Sequence, residues 1–152
     1  MSNNDKPFIE LSNARLPEQR RVMEIIRDKG ECPFCQDNLA RYHKKPLIRE
    51  GIHWILTENQ WPYNNTRVHL LAIHRQHTEK LADLTSEAWS DLGNLVTWAE
   101  QHYQIAGGGL GMRFGDPTHN RGTVRHLHLQ LLVAKNIDRN SADYSPIVLY
   151  FG

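Results

Sequence analysis

The sequence predicts an α+β domain in which an antiparallel sheet carries one long helix between its strands, with an N-terminal helix and a Cys-x2-Cys knuckle ahead of it. Three observations carry this reading. Thr123 to Ala134, "TVRHLHLQLLVA", alternates polar and apolar residues, the period of a strand with one buried face. Residues from about Ser86 to Tyr103 place apolar side chains every three to four positions, the period of a helix. The runs "LIREGIHWILTEN" and "VHLLAIH", separated by the polar turn "QWPYNNTR", read as strands.

In chain order, Pro17 opens a helix that runs through Lys29. Proline suits a first helical position because the N–H it lacks has no partner there. Val22, Ile25 and Ile26 form one stripe, and Gly30 is the stop. The knuckle "CPFC" and a basic turn lead into the two strands. Thr85 caps the long helix, which should turn Trp89, Leu92, Val96, Ala99 and Tyr103 inward, and the glycines at 107 to 109 end it. "LGMRF", the turn-rich loop "GDPTHNRG" and the alternating strand follow, and residues 146–151 read as a short edge strand. No repeat or long linker divides the chain, so one domain over 1–152 is expected, with its core at about 30–134.

A chain of 152 residues, 39% hydrophobic and 23% charged, is neither a disordered segment nor a membrane protein. No apolar run approaches the ~20 residues of a membrane helix. The first ten residues, "MSNNDKPFIE", contain no apolar signal core, so a cytoplasmic protein is expected. A formal net charge of +1 gives no reason to expect general nucleic-acid binding.

Chemistry concentrates in two places. On the alternating strand, His126, His128 and Gln130 share one face while Leu127, Leu129 and Leu131 share the other. A wet strand face is the plain alternative for any one of these residues. Imidazole, however, is both a nucleophile and a metal ligand. Cys32 and Cys35 form the second place; in a reducing compartment their spacing reads as a redox pair or half a metal site.

These residues resemble the histidine triad superfamily, whose hallmark is His-x-His-x-His or His-x-His-x-Gln with apolar residues at x. Here it stands as His126, His128 and Gln130, followed by Leu131 and Leu132, and the likeness extends upstream through "ENQWPYNNTRVHLLAIHRQH" and the long helix. The resemblance implies a nucleotide-binding hydrolase or nucleotidyltransferase, commonly a homodimer, acting on a nucleotide or dinucleoside polyphosphate. His128 would attack the α-phosphorus to give a nucleotidyl-histidine, and Gln130 would donate an amide N–H to a non-bridging oxygen. In that superfamily the Gln form is typical of transferases and phosphorylases, the third histidine of hydrolases.

Position by position, the resemblance places Asn59 on the ribose hydroxyls, His69 beside the triad and Thr123 on the phosphate; a turn asparagine and a strand threonine are the plainer readings of the first and last. Where many members carry an asparagine and a glutamine, this chain has Gly115 and Gly122. Arg113, Arg121, Arg125 and His119 crowd the same segment and would supply positive charge, Arg113 and Arg125 foremost, while the two glycines would offer backbone N–H groups to an anion.

Zinc-holding members complete a Cys-x2-Cys pair with two histidines. The resemblance maps a structural Zn2+ site onto Cys32, Cys35, His77 and His126, with His74 and His43 as competing ligands, His53 without a role, and two buried free thiols as the metal-free alternative. A second class of function stays open: a zinc-stabilised nucleotide- or RNA-end-binding module in which Trp61, Tyr63 and Arg67 stack on a base.

Overall fold

The computed structural model describes residues 6–152. The polar start of the expected domain, residues 1–5, lies outside them. Helix α1 is Pro17–Lys29, α2 Gln36–Tyr42, α3 Ser86–His102 and α4 Pro117–Asn120; the strands are β1 Leu47–Glu50, β2 Trp54–Glu58, β3 Thr66–His74, β4 Gly109–Arg113 and β5 His128–Ala134. The five strands form one antiparallel sheet in the order β1-β2-β3-β5-β4. Because β3 and β4 both run antiparallel to the β5 between them, they are parallel to each other, and their link must cross the sheet. Helix α3 is that crossover.

The core lies between α3 and one face of the sheet. Leu127, just ahead of β5, and Leu129, Leu131 and Val133 on it meet Leu92, Leu95 and Ala99 of α3, with Trp54, Leu56 and Leu70 beside them. Each fully buried side chain of this size contributes about 1.5–3 kcal/mol. The indole N–H of Trp54 donates to Ala88 O at 2.8 Å, and Asp91 Oδ2 accepts from the backbone N–H groups of His53 and Trp54. Thr85 caps α3 by accepting from Ala88 N–H, and Gly30 ends α1 in the left-handed conformation at φ 66°.

Several expectations are corrected. "LIREGIHWILTEN" is a hairpin, β1 and β2 joined through Gly51 to His53, so His53 is a turn residue. Any side chain at Gly51 would meet the Asp91 carboxylate. Trp89 is exposed, and Ala88 and Leu95 are inward instead; Val96 and Tyr103 are only partly buried. The basic turn after the knuckle begins with a seven-residue helix, α2. Regular pairing on the last strand starts at His128, because residues 123–127 bend and are held by other partners, among them an isolated bridge from Val124 to Ile9. Residues 146–151 form no strand.

The opposite face of the sheet is covered by the N-terminal segment, α1 and α2. Ile9, Leu11, Met23, Ile26 and Val124 make a second core cluster, and Leu39 of α2 packs on Ile55, Leu71 and Ile73. The chemistry lies on this face. None of the helices among the described residues is long and apolar enough to cross a membrane.

Candidate functional site

Cys32, Cys35, His77 and His126 bring four ligand atoms within 4.8 Å of one another. Cys32 Sγ lies 3.3 Å and Cys35 Sγ 3.9 Å from His126 Nδ1, and Cys35 Sγ is 3.5 Å from His77 Nδ1. A tetrahedral zinc, with bonds of about 2.3 Å to sulfur and 2.0 Å to nitrogen, spaces its ligands about 3.3–3.8 Å apart. The donor set therefore fits zinc. His126 donates its Nε2–H to His74 O at 2.6 Å, which leaves Nδ1 as a lone pair aimed at the cysteines. His77 Nε2–H donates to Glu79 Oε1 at 3.2 Å, and Glu79 Oε2 accepts from Arg125 at 2.6 Å. Such outer partners fix the tautomer of a ligating histidine. Burial pushes the Cys32 thiol pKa up to about 12 and the His126 pKa down to about 3, so without a cation both are held uncharged.

Two histidines are engaged elsewhere. His74 donates its Nδ1–H to Gln76 O at 2.9 Å, and His43 bonds Thr57 Oγ1 at 2.7 Å.

Beside the cluster a cleft opens between α1 and the sheet. Its lining joins the apolar Met23, Ile26, Phe34 and Leu71 to the basic Arg15, Arg113 and Arg121, with His128 and Gln130 among them. His128 sits on the cleft face of β5, edge-on to the Phe34 ring at 5.0 Å. Its Nδ1–H donates to His126 O at 2.7 Å, so the Nε2 lone pair is left for the cleft. Burial lowers the His128 pKa to about 4, with Arg113 adding to the shift. The ring is a neutral nucleophile at ordinary pH.

Gln130 is oriented by a relay. Tyr63 N–H donates to His69 Nδ1 at 3.0 Å, so the proton of this neutral ring is on Nε2 and is donated to Gln130 Oε1 at 2.8 Å. The Gln130 amide nitrogen is thereby turned away from His69, toward the cleft. Asn59 Nδ2 lies 3.1 Å from the same Nε2, a donor beside a donor, so its N–H is available to a ligand. Asn59 Oδ1 accepts from Trp61 N–H at 2.7 Å, so Asn59 has its turn role while lining the cleft. Burial lowers the His69 pKa to about 4.

The basic segment is arranged differently from the sequence reading. Arg125 does not line the cleft. Its side chain is 9% exposed, faces Glu79 beneath the cysteine-histidine cluster, and has an Nε without a partner among the described residues. Gly115 N–H donates to Glu79 O at 2.7 Å and Gly122 N–H to Asn120 Oδ1 at 2.7 Å, so neither is free for an anion. Gly115 is needed for its φ of 74°. Thr123 lines the cleft with its hydroxyl on Asn13 O at 3.3 Å. Arg67 bonds Tyr103 O and lies outside the cleft, unlike Trp61 and Tyr63.

The residue that sequence reasoning missed is Arg15. It donates to Trp61 O at 2.7 Å and lies 4.1 Å over the Tyr63 ring, so the N-terminal segment roofs the cleft. Burial draws its pKa below the ordinary value, which is the condition in which a guanidinium gains most from an anionic partner.

No protein-family model matches the sequence, and no curated protein sequence matches it. Solved structures do match. A Zn-bound histidine triad family protein from Mycobacterium smegmatis aligns at TM-score 0.55 and 22% identity, over 76% of this chain and 84% of that one. A histidine triad nucleotide-binding protein from Candida albicans aligns at TM-score 0.57 and 19% identity, over 70% and 76%. A HIT family hydrolase from Clostridium thermocellum aligns at TM-score 0.53 and 23% identity, over 73% and 95%. At these identities the likeness shows the fold: the chain has the α+β fold of these histidine triad proteins.

Proposed function

We propose that this chain binds a nucleotide in the cleft and cleaves it at the α-phosphorus through His128, with zinc held by Cys32, Cys35, His77 and His126. The observation that supports it most is the tautomer of His128: Nδ1–H is committed to His126 O at 2.7 Å, which leaves Nε2 unprotonated in a ring that lines the cleft together with Arg15, Arg113 and Arg121. The base packs on the apolar lining, the Asn59 amide donates to a ribose hydroxyl, and the phosphates lie along Thr123, Arg15, Arg113 and Arg121. Arg113 and Arg121 here do what the sequence reading gave to Arg113 and Arg125.

In the first step the Nε2 lone pair forms a P–N bond as the bond to the leaving oxygen breaks, and that oxygen departs with the electron pair. The Gln130 N–H groups, preset by His69, meet the charge that builds on the non-bridging oxygens. In the second step water attacks phosphorus, the P–N electrons return to Nε2, and the proton of the water passes to solvent. An acceptor in place of water makes the same cycle a transfer. The ion, when bound, ties the knuckle to the segment carrying His126 and so holds the backbone carbonyl that orients His128. Hydrolysis is the favoured outcome, since structurally similar proteins include one named a hydrolase. A homodimer in the cytoplasm belongs to the same proposal.

The test is release of nucleoside monophosphate from a dinucleoside polyphosphate and from a nucleoside phosphoramidate, with products identified by mass. Release from either supports the reading. Tight binding with no release from both would make the chain a zinc-stabilised binding module instead.

A further inference from the structure

Five amide side chains line the cleft: Asn13, Gln19, Asn59, Gln60 and Gln130. In four of them the oxygen is already used. Gln130 Oε1 accepts from His69 and Asn59 Oδ1 from Trp61 N–H, while Gln60 Oε1 accepts from Lys44 N–H at 2.9 Å and Gln19 Oε1 from Arg15 N–H at 2.9 Å. A backbone N–H only donates, so each such bond fixes which end of the amide is oxygen and turns the NH2 group the other way. Asn13 is the exception, its amide donating to Gly122 O at 2.9 Å beside α4. The nucleotide reading uses two of the four, Gln130 at phosphorus and Asn59 at the ribose. Gln19 and Gln60 are left over, and neither amide nitrogen has a partner among the described residues.

Gln19 is the more telling of the pair. It is the third residue of α1, a position from which a side chain reaches back to the N–H groups ahead of the helix. Glutamate does this as well and suits the positive end of a helix better. What glutamine adds is two N–H groups. Gln19 is only 8% exposed, and it stands one turn ahead of Met23, which Ile26 follows, so the three share the cleft-facing stripe of α1. A buried amide N–H gains most from a ligand that brings it an acceptor. Gln19 also lies outside the stretches that carry the resemblance to the histidine triad superfamily.

We propose that Gln19, with Gln60, selects nucleobases that carry a carbonyl oxygen on the edge away from the sugar over those that carry an amino group there. This rests on the nucleotide reading of the cleft. A base carbonyl has two lone pairs and accepts from either amide, whereas an exocyclic amino group sets donor against donor. Adenine and cytosine keep ring acceptors on that edge, but each flanks the amino group. Nucleotides of guanine, hypoxanthine and uracil are therefore preferred to those of adenine and cytosine.

The experiment measures Kd by calorimetry for the 5′-monophosphates of inosine, adenosine, uridine and cytidine, which form two pairs that exchange a carbonyl for an amino group. The full chain is compared with Gln19→Glu, Gln19→Met and Gln60→Met. The parent protein is expected to bind inosine monophosphate about fivefold more tightly than adenosine monophosphate, and uridine monophosphate likewise over cytidine monophosphate. Gln19→Met, similar in length without the amide, should bring both ratios toward one, and Gln60→Met should also lower them. Gln19→Glu keeps an oxygen for Arg15 N–H, and so the start of α1, but offers the base an acceptor. Its ratios should fall below one, while repulsion of the phosphate weakens all four nucleotides alike. Equal affinities within both pairs in the parent, or ratios unchanged in both Gln19 variants, overturn the selection, while binding of any monophosphate leaves the nucleotide reading standing. Failure of all four to bind the parent overturns both.

Discussion

His69 Nε2–H donates to Gln130 Oε1 at 2.8 Å, across two neighbouring strands, and that bond decides which end of the Gln130 amide faces the cleft. An amide donor set in this way needs no reorganisation when charge gathers on phosphorus. Gln130→Ala is expected to lower kcat about 10²-fold to 10³-fold with a small change in KM, because the donor acts mainly on the transition state. Gln130→Glu keeps the acceptor for His69 but replaces the donor with a negative charge, and should be at least as impaired. Steady-state kinetics of both variants check this; a Glu variant near wild-type activity would remove the donor role.

The same histidine makes stability fall in acid. His69 is 6% exposed, and burial lowers its pKa from 6.5 to about 4. Below pH 6.5 the unfolded chain takes up the proton and the folded chain does not, so this stabilisation is complete above that pH and is lost as pH falls toward 4. At about 1.4 kcal/mol per pH unit, the contribution lost over the window from 6.5 to 4 is about 3 kcal/mol. Urea unfolding of wild type and His69→Gln across this window tests it. The gap between the two proteins should narrow with acid; a constant gap would contradict the account.

Cys32→Ser should lower zinc content from about one ion per chain and lower Tm, since metal-binding free energy contributes to folding. Glu79→Gln, which weakens the partner of His77, should bind zinc less tightly, by about 10-fold to 100-fold. Zinc titration with a competing chelator measures both. A metal-free preparation whose Tm does not rise on zinc addition would contradict the site.

How much of this was legible in the sequence depends on the range of the interaction. Helix α1 begins and ends where Pro17 and Gly30 place it, because caps are local chemistry. The two faces of "HLHLQLLV" are what alternation dictates, with Leu127, Leu129 and Leu131 in the core. The four metal-site residues were reached through a spacing and a resemblance, and the fold brings them together. Arg15 gave no signal: it lies in an irregular polar stretch and meets the cleft through Trp61, 46 positions away. Arg125 was named only because it crowds the same segment as Arg113 and Arg121; its side chain turns to Glu79 instead, through a stretch whose backbone is held by Phe8 and Thr78 rather than by a neighbouring strand. Trp89 was assigned inward by period alone, although the buried stripe of α3 runs through Ala88, Leu92, Leu95 and Ala99. The apolar run at 146–151 looked like a strand, yet it makes no ladder: Leu149 sits over Gly111 while Val148, Tyr150 and Phe151 stay exposed.

Asn59→Ala is expected to weaken ribonucleotides more than their 2′-deoxy counterparts. Asn59 Oδ1 is already used by Trp61 N–H, and Nδ2 is the group left for a ribose hydroxyl. Loss of one such bond costs on the order of 1 kcal/mol, about fivefold in Kd. Equal losses for both sugars would assign Asn59 to the turn alone.

The central claim is that the free Nε2 of His128 becomes bonded to phosphorus. The most direct measurement mixes the protein with nucleotide labelled at the α-phosphate, quenches in base within the first turnover, and locates the label by peptide mass. The account predicts label on His128 in the wild-type protein and none on His128→Ala, which should still bind nucleotide while losing turnover. Unlabelled wild-type protein during active turnover, or full activity in His128→Ala, would contradict it.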